Sequence, residues 1–197
     1  GLPLPGHERL RAAGVSFTQW HANTTPSGPA RATLYTGQHT QKTGIVANLG
    51  VFPDTVLTDA VPTLGHYLRA NGYDTAYKGR WQLSHVLAPA SPVVGRYPHT
   101  RDALEPFGFS DFNADGDRPA STWSGYKFDA QTAAEAARWL HTRGRAAQRP
   151  WLLAVNFINP HDINFLATDV GQLNTRRHRD YLAPLAGPPV DPLYARQ

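Results

Sequence analysis

Ser27-Gly28-Pro29-Ala30-Arg31-Ala32-Thr33-Leu34-Tyr35-Thr36-Gly37 reads as a helix entered through a hydroxyl. Pro29 suits the first turn of a helix, where its missing N–H would be an orphan donor in any case. The free N–H groups of that turn and the positive end of the helix dipole then face whatever Ser27 touches. Such an end attracts a tetrahedral oxyanion, sulfate or phosphate. Arg31, one turn further on, adds a planar fork of donors that neutralises the anion or orients the nucleophile. Read alone, the first five residues favour a Ser/Gly helix cap followed by a surface arginine.

Outward from this helix, strand and helix patterns alternate. Residues 62–70 carry a helical periodicity, with Leu64, Tyr67 and Leu68 on one face. A second helix is predicted from 129 to about 142, with Asp129 as its N-cap and Gly144 as its stop. Short apolar runs at 15–17, 75–77 and 151–157 read as strands. The alternation predicts an α/β fold, a mostly parallel sheet flanked by helices on both faces. Residues 89–125 are loop-like, and the tail from 171 onward is similar and expected to be poorly ordered. In parallel sheets ligands gather at the carboxyl ends of the strands. Ser27 at a helix start, Arg80 after one strand run and His161 after another all fall at that edge. His161 alone also fits a surface histidine.

The 197 residues suffice for one domain with a real core. A hydrophobic content of 41% against 17% charged residues excludes an intrinsically disordered chain. No apolar run is long enough to cross a bilayer, and Gly1-Leu2-Pro3-Leu4-Pro5-Gly6 lacks the pattern of a signal peptide. The sequence holds no Met, so translation is expected to start upstream. It holds no Cys, which excludes disulfides, zinc–thiolate sites and a cysteine nucleophile. Cytoplasm, periplasm and secretion all stay open.

The net charge is +4, and Arg176-Arg177-His178-Arg179 is a local basic cluster. The remaining basic residues are scattered without aromatic platforms between them. The expected partner is a small anionic substrate drawn in by a positive field, with no nucleic acid. Asp111-Phe112-Asn113-Ala114-Asp115-Gly116-Asp117 matches the first half of a calcium loop. Its twelfth position is Thr122 in place of a bidentate Glu, and a turn-rich loop with side-chain-to-backbone hydrogen bonds is the expected reading.

The full pattern Ser-x-Pro-x-Arg-x-x-Leu-x-Thr-Gly resembles the signature of the type I sulfatases, in the alkaline phosphatase superfamily. In that family the first residue is Cys or Ser and is oxidised to formylglycine; here it is Ser27, the serine-type variant. The flanks agree. Arg9-Leu10-Arg11-Ala12-Ala13-Gly14-Val15-Ser16-Phe17 is similar to the family's helix-then-strand lead-in. Leu64 to Tyr73 followed by Asp74-Thr75-Ala76-Tyr77-Lys78-Gly79 resembles its helix, turn and strand. Trp151-Leu152-Leu153-Ala154-Val155-Asn156-Phe157-Ile158-Asn159-Pro160-His161-Asp162 resembles the strand that ends in its Pro-His pair.

The resemblance implies an incomplete alkaline-phosphatase-like domain, with 1–197 forming a partial catalytic domain that lacks the N-terminal strand and the C-terminal segment. It implies a sulfuric-ester hydrolase in which one hydroxyl of the hydrated formylglycine attacks sulfur and the other later expels sulfate. Ser27, Arg31 and His161 would be catalytic, and Arg80, Gln82 and His161 would bind substrate. A divalent metal, generally calcium, would be held in part by the group derived from Ser27. The family's other metal ligands are an Asp-Asp pair before the nucleophile and an Asp with Asn or His near the end. Neither is recognisable in this sequence, so the isolated chain is expected to be inactive.

Where the family shows Gly-Lys-Trp-His-Leu, this chain has Gly79-Arg80-Trp81-Gln82-Leu83. Arg80 keeps the charge without the compact shape of an ammonium, and Gln82 cannot shuttle a proton near neutral pH. His85, three residues beyond Gln82, is a spatial substitute or a loop histidine. The implied partners are a small-molecule or carbohydrate sulfate ester and a formylglycine-generating maturase. The alternatives are a phosphodiester or phosphonate-ester hydrolase of the same superfamily and a non-catalytic anion-binding relative.

Overall fold

Asp74–Gly79 and Trp151–Asn156 form the sheet that organises the chain. A computed structural model describes residues 3–85, 102–113, 115–118, 120–121 and 123–165. Within these, β1 (Asp74–Gly79) and β2 (Trp151–Asn156) pair in parallel, from Asp74 opposite Trp151 to Gly79 opposite Asn156. Ser110 bridges to the other edge of β1: its N–H donates to the Thr75 carbonyl at 2.9 Å and its carbonyl accepts from Tyr77 N–H at 3.0 Å. The helices are α1 (Pro5–Ala13), α2 (Ser27–Thr36), α3 (Thr40–Thr43), α4 (Leu64–Ala70) and α5 (Ser124–Trp139).

Alternation along β1 sends its side chains to two covered faces. On one face Arg69 of α4 donates from Nε to Thr75 Oγ1 at 2.7 Å, and the Tyr77 ring lies 5.6 Å from that of Tyr35 on α2. On the other face Lys78 feels the carboxylate of Glu135 on α5. The parallel sheet with helices on both sides is therefore present, in the incomplete form the sequence implied.

The core lies on the Tyr77 face. Ala32, Tyr35, Ile45, Leu57, Tyr77, Trp81, Leu83, Leu104, Phe107, Phe109 and Phe112 form one buried cluster. Its aromatic rings meet edge to face, Tyr77 with Trp81 at 5.4 Å and Tyr77 with Phe109 at 5.4 Å. Such pairs contribute about 0.5–1.5 kcal/mol each beyond the area they bury.

Helix boundaries move for identifiable reasons. The helix read over 62–70 begins at Leu64, because Thr63 caps it. The Thr63 hydroxyl accepts from Gly65 N–H at 3.1 Å, while His66 Nδ1 accepts from Thr63 N–H at 3.1 Å, a reciprocal box with His in the usual Glu position. The helix predicted to start at Asp129 starts earlier, at Ser124. Asp129 is no cap: its carboxylate accepts from the N–H groups of Ile158 at 2.7 Å and Asn159 at 2.9 Å. Gly144 is no stop, since the chain stays helical through Ala146. A π-turn over Leu140–Gly144 sets Gly144 against the ring of Trp139, which a Cβ would approach to 3.2 Å.

The strand expected at 15–17 is absent. Val15 is 81% exposed and Phe17 72% exposed, in chain with no strand partner among the described residues. An apolar run without a neighbouring edge satisfies no ladder. The run at 151–157 pairs only through Asn156. Loop 111–117 is a hydrogen-bonded turn system: Asn113 Nδ2 donates to the carbonyls of Gly79 at 2.6 Å and Gly116 at 3.0 Å. Thr122, the basic cluster at 176–179 and the tail from 171 lie outside the described residues.

Candidate functional site

Both strands end at one place, and the site is built there. Gly79 is the last residue of β1 and faces Asn156, the last of β2. Gly79 has φ +94, and a Cβ on it would run into the Asn156 carbonyl. Only glycine allows that approach together with that backbone. The chain then turns away through Arg80, whose N–H donates to the Asn156 carbonyl at 3.0 Å. Arg80 and Trp81 are buried, and Gln82 adopts φ 58.

α2 meets this edge through Arg31 and Tyr35, while its N-terminus rests on the loop at Ala47 and Asn48. Pro26 occupies the cap position and Ser27 is the first helical residue, so no side chain caps the helix. Gly28 N–H is taken by Asn48 Oδ1 at 2.7 Å. A Cβ on Gly28 would sit 2.9 Å from the Ala47 carbonyl, so the helix start is packed flush on that loop.

Arg31 turns inward rather than to solvent. Its Nη1 donates to the Arg80 carbonyl at 2.9 Å and to Asn156 Oδ1 at 3.2 Å. The Tyr35 hydroxyl donates to the same Asn156 oxygen at 3.1 Å, and the Tyr77 hydroxyl donates to the Arg80 carbonyl at 2.7 Å. One helix face thereby grips the carboxyl ends of both strands.

The electrostatics favour an anion. Burial lowers the Arg80 pKa to about 10, and the neighbouring charge of Arg31 adds to the shift while Asp117 opposes it. Arg80 remains cationic at neutral pH. His161 opens a 3₁₀ turn (His161–Phe165) after β2. Its pKa is lowered first by burial and then by the charge of Arg80, with Asp162 acting the other way and Arg31 adding a smaller push. His161 thus lies within the field of both arginines. The Gln82 side-chain oxygen is buried and has no hydrogen-bond partner among the described residues.

Arg31, Arg80 and His161 are gathered at one edge, with Ser27 one helical turn before Arg31. His85 is not with them: it is exposed, with Nε2 3.0 Å from Asp54 Oδ2, as a loop histidine. The sequence reading passed over Asn156, Asn48, Tyr35, Tyr77 and Asp117. Asn156 had a usable signal, a carboxamide at the carboxyl end of a strand in a parallel sheet. Asn48, Tyr35 and Asp117 act across separations of 20 residues or more that no local pattern reports, and Tyr77 bonds the Arg80 carbonyl only three residues on.

These residues do not form a divalent-metal site. Calcium wants six to eight oxygens, several of them charged. No group of three or more His, Asp or Glu residues that could hold a metal exists among the described residues, and both oxygens of the nearby Asp117 carboxylate are taken by main-chain N–H groups. A cavity of about 670 Å³ lies elsewhere, at the amino ends of the strands beside Asp74 and Arg149. Each arginine on it is matched: Arg69 with Glu105, Arg143 with Asp111 and Arg149 with Asp74.

Comparison with known proteins fits this geometry. The model of the sulfatase family matches residues 3–181. The chain belongs to the sulfatase family. It is 25% identical over 189 residues to a delta 4,5-hexuronate-2-O-sulfatase of Bacteroides thetaiotaomicron, covering 95% of this chain and 34% of that sulfatase. It is 28% identical to a sulfatase of Formosa agariphila, covering 81% of this chain and 34% of that one. It is 27% identical to a choline-sulfatase of Rhizobium meliloti, covering 78% and 33%. The fold is similar to that of a protein solved with its substrate D-glucosamine-2-N,6-O-disulfate, with a TM-score of 0.53 at 19% identity, covering 96% of this chain and 34% of that one. A protein from a glycosaminoglycan-metabolism locus of Bacteroides thetaiotaomicron gives a TM-score of 0.51 at 21% identity, covering 87% and 39%. The sulfatase chain thus spans about a third of the length of these relatives. The family uses a divalent metal, and no site for one is formed by the described residues. No helix among them is long and apolar enough to cross a membrane.

Proposed function

We propose that the parent protein hydrolyses sulfuric esters at the edge where α2 meets the ends of β1 and β2. The observation that carries this reading is Arg31: it is fixed to the Arg80 carbonyl and to Asn156, one turn beyond a serine that opens a helix. Ser27, oxidised to formylglycine by a maturase and hydrated to a geminal diol, supplies the nucleophilic hydroxyl. That hydroxyl gives up its proton and forms the new bond to sulfur as the bond from sulfur to the alcohol oxygen breaks; the second hydroxyl of the diol then expels sulfate as the aldehyde re-forms. Arg31 and Arg80 hold the negative charge of the sulfate through this step. Gln82 donates a hydrogen bond to a sulfate oxygen. His161, largely neutral near pH 7, hydrogen-bonds the substrate and relays the proton that the leaving oxygen requires.

Residues 1–197 then form part of one catalytic domain. A divalent cation, with calcium expected, would be held in part by the group derived from Ser27 and would acidify its hydroxyl; its carboxylate ligands would have to come from outside the described residues. The substrate is a sulfated carbohydrate or another small sulfate ester, in keeping with the hexuronate and choline sulfatases among the relatives. A maturase that oxidises Ser27 is the required partner. A phosphodiester or phosphonate substrate would meet the same charges.

A non-catalytic, anion-binding reading is favoured by Gln82, an amide that cannot donate and regain a proton where the family pattern has a histidine. Assay of the full-length protein, co-expressed with a serine-type maturase, against sulfate and phosphate esters separates the readings. Sulfate-ester turnover, with the Ser27 peptide two hydrogens lighter by mass spectrometry, is the expected result. An oxidised Ser27 with no turnover of any ester supports the anion-binding reading. An unmodified Ser27 in an active enzyme overturns the formylglycine assignment.

A further inference from the structure

Asp117 touches the main chain that carries Arg80 and Gln82, and it does so with both carboxylate oxygens. Oδ1 accepts from Trp81 N–H at 2.7 Å and Oδ2 accepts from Gln82 N–H at 2.7 Å. The peptide between Arg80 and Trp81 is therefore held on two sides. Its N–H meets Asp117, while its carbonyl accepts from Arg31 Nη1 and the Tyr77 hydroxyl. The next residue, Gln82, sits at φ 58, a conformation that non-glycine side chains rarely adopt. Residues held in such regions persist where the surroundings over-determine them, and a two-oxygen clamp does so here.

The clamp is itself anchored. Arg118 N–H donates to Asp117 Oδ1 at 2.8 Å. The Arg118 side chain is 1% exposed and reaches α5, with Nη2 donating to Glu135 Oε1 at 2.8 Å and Nη1 to Thr132. Asn113 Oδ1 accepts from Gly79 N–H at 2.8 Å from the same loop. Loop 111–118 is thus tied to α5 at one end and to the tail of β1 at the other.

We infer that Asp117 is a positioning residue for the anion site: its carboxylate sets the turn from which Arg80 and Gln82 project. The inference rests on the reading of this edge as the sulfate-ester site. Its geometry is demanding. Two converging N–H donors need two acceptor oxygens, and an asparagine offers one oxygen and one NH₂, which would face a donor. A glutamate keeps both oxygens but displaces them by one methylene.

The test uses the full-length, matured protein with inorganic sulfate as the probe, alongside sulfate-ester kinetics and amide hydrogen exchange. Asp117→Asn should weaken sulfate binding at least tenfold and lower kcat/KM on the order of 100-fold, the scale of an ångström-sized misplacement. Exchange at Trp81 and Gln82 should rise in the same variant. Asp117→Glu should recover part of the affinity and serves where the asparagine variant does not fold. A merely structural role would lower the unfolding temperature and leave the sulfate affinity of the folded fraction unchanged, and that result overturns the inference for either variant. Weakened sulfate binding in a protein whose unmutated form turns over no sulfate ester supports Asp117 and sinks the hydrolase reading. Unchanged affinity in an active hydrolase does the reverse.

Discussion

Arg31 donates from Nη1 to the main-chain carbonyl of Arg80 at 2.9 Å, so one arginine of the site fixes the backbone from which the other springs. The two guanidinium groups repel, and the charge of Arg31 contributes to the lowered pKa of Arg80. They are kept together by neutral acceptors, the Arg80 carbonyl and Asn156 Oδ1, and among the described residues Arg80 makes no ion pair with a carboxylate.

Arg31→Lys should therefore cost more than a charge-conserving change suggests. Both bonds leave one nitrogen, Nη1, held in place by the rigid guanidinium plane, and an ammonium on a flexible stem lacks that fixed geometry. Each acceptor keeps a tyrosine hydroxyl, Tyr77 on the Arg80 carbonyl and Tyr35 on Asn156, so the loss is that of ordinary hydrogen bonds, about 0.5–1.5 kcal/mol each. Urea unfolding of the variant should show a loss in that range, with turnover of the full-length protein down on the order of 100-fold.

His161 gives a pH prediction. Burial and the Arg80 charge hold its folded pKa below the ordinary 6.5. The unfolded chain takes up that proton first as the pH falls. Stability is therefore complete above about pH 6.5 and is lost as the pH drops through the folded value. His161→Gln should flatten the pH dependence of unfolding between about pH 8 and pH 5. Arg80→Met should raise the His161 pKa measured by NMR titration, yet leave it below the ordinary value, since burial is the larger cause. A pKa unmoved by removal of Arg80 would separate the two side chains.

Gly79→Ala should be among the most damaging single changes. The new Cβ would enter the Asn156 carbonyl, and alanine disfavours φ +94. The β1–β2 pairing would have to yield, at a cost above about 4 kcal/mol, the range reserved for exceptional mechanisms. Thermal unfolding of this variant beside Gly6→Ala, where a Cβ meets nothing within 4 Å, gives the control.

Gln82→His fits the backbone, because histidine is one of the residues enriched at positive φ. Its N–H bond to Asp117 belongs to the main chain and survives the change. If this position lacks only a proton donor, sulfate-ester turnover should rise by roughly 100-fold, the lower scale of general acid catalysis. Unchanged turnover would place the limiting step elsewhere.

The strands at 75–77 and 151–157 were legible because each is an apolar run between polar turns, and their ends predicted the edge where Arg80 and His161 meet. The run at 15–17 carried the same local signal and forms no strand, since pairing depends on a neighbour that composition does not reveal. Asp129 looked like a cap, yet its carboxylate serves the N–H groups of Ile158 and Asn159 across the fold. That Ser27 opens a helix was legible from Pro29 and the spacing, whereas the roles given to Ser27 and Arg31 came from the resemblance of the full pattern. Asn156 and Asp117 were not, because each matters through bonds to residues far away in the chain.

The parallel register of β1 and β2 has a consequence for the order of folding. Arg31 and Asn156 are 125 residues apart, and Tyr35 and Asn156 are 121 apart. Contacts of such separation close large loops before they return any stabilisation, which slows folding. During synthesis the ribosome releases α2 and β1 long before β2, so Arg31 and Tyr35 spend that interval without the carboxamide they share. The helix that presents Ser27 is made early, and the edge that organises its charges is made last.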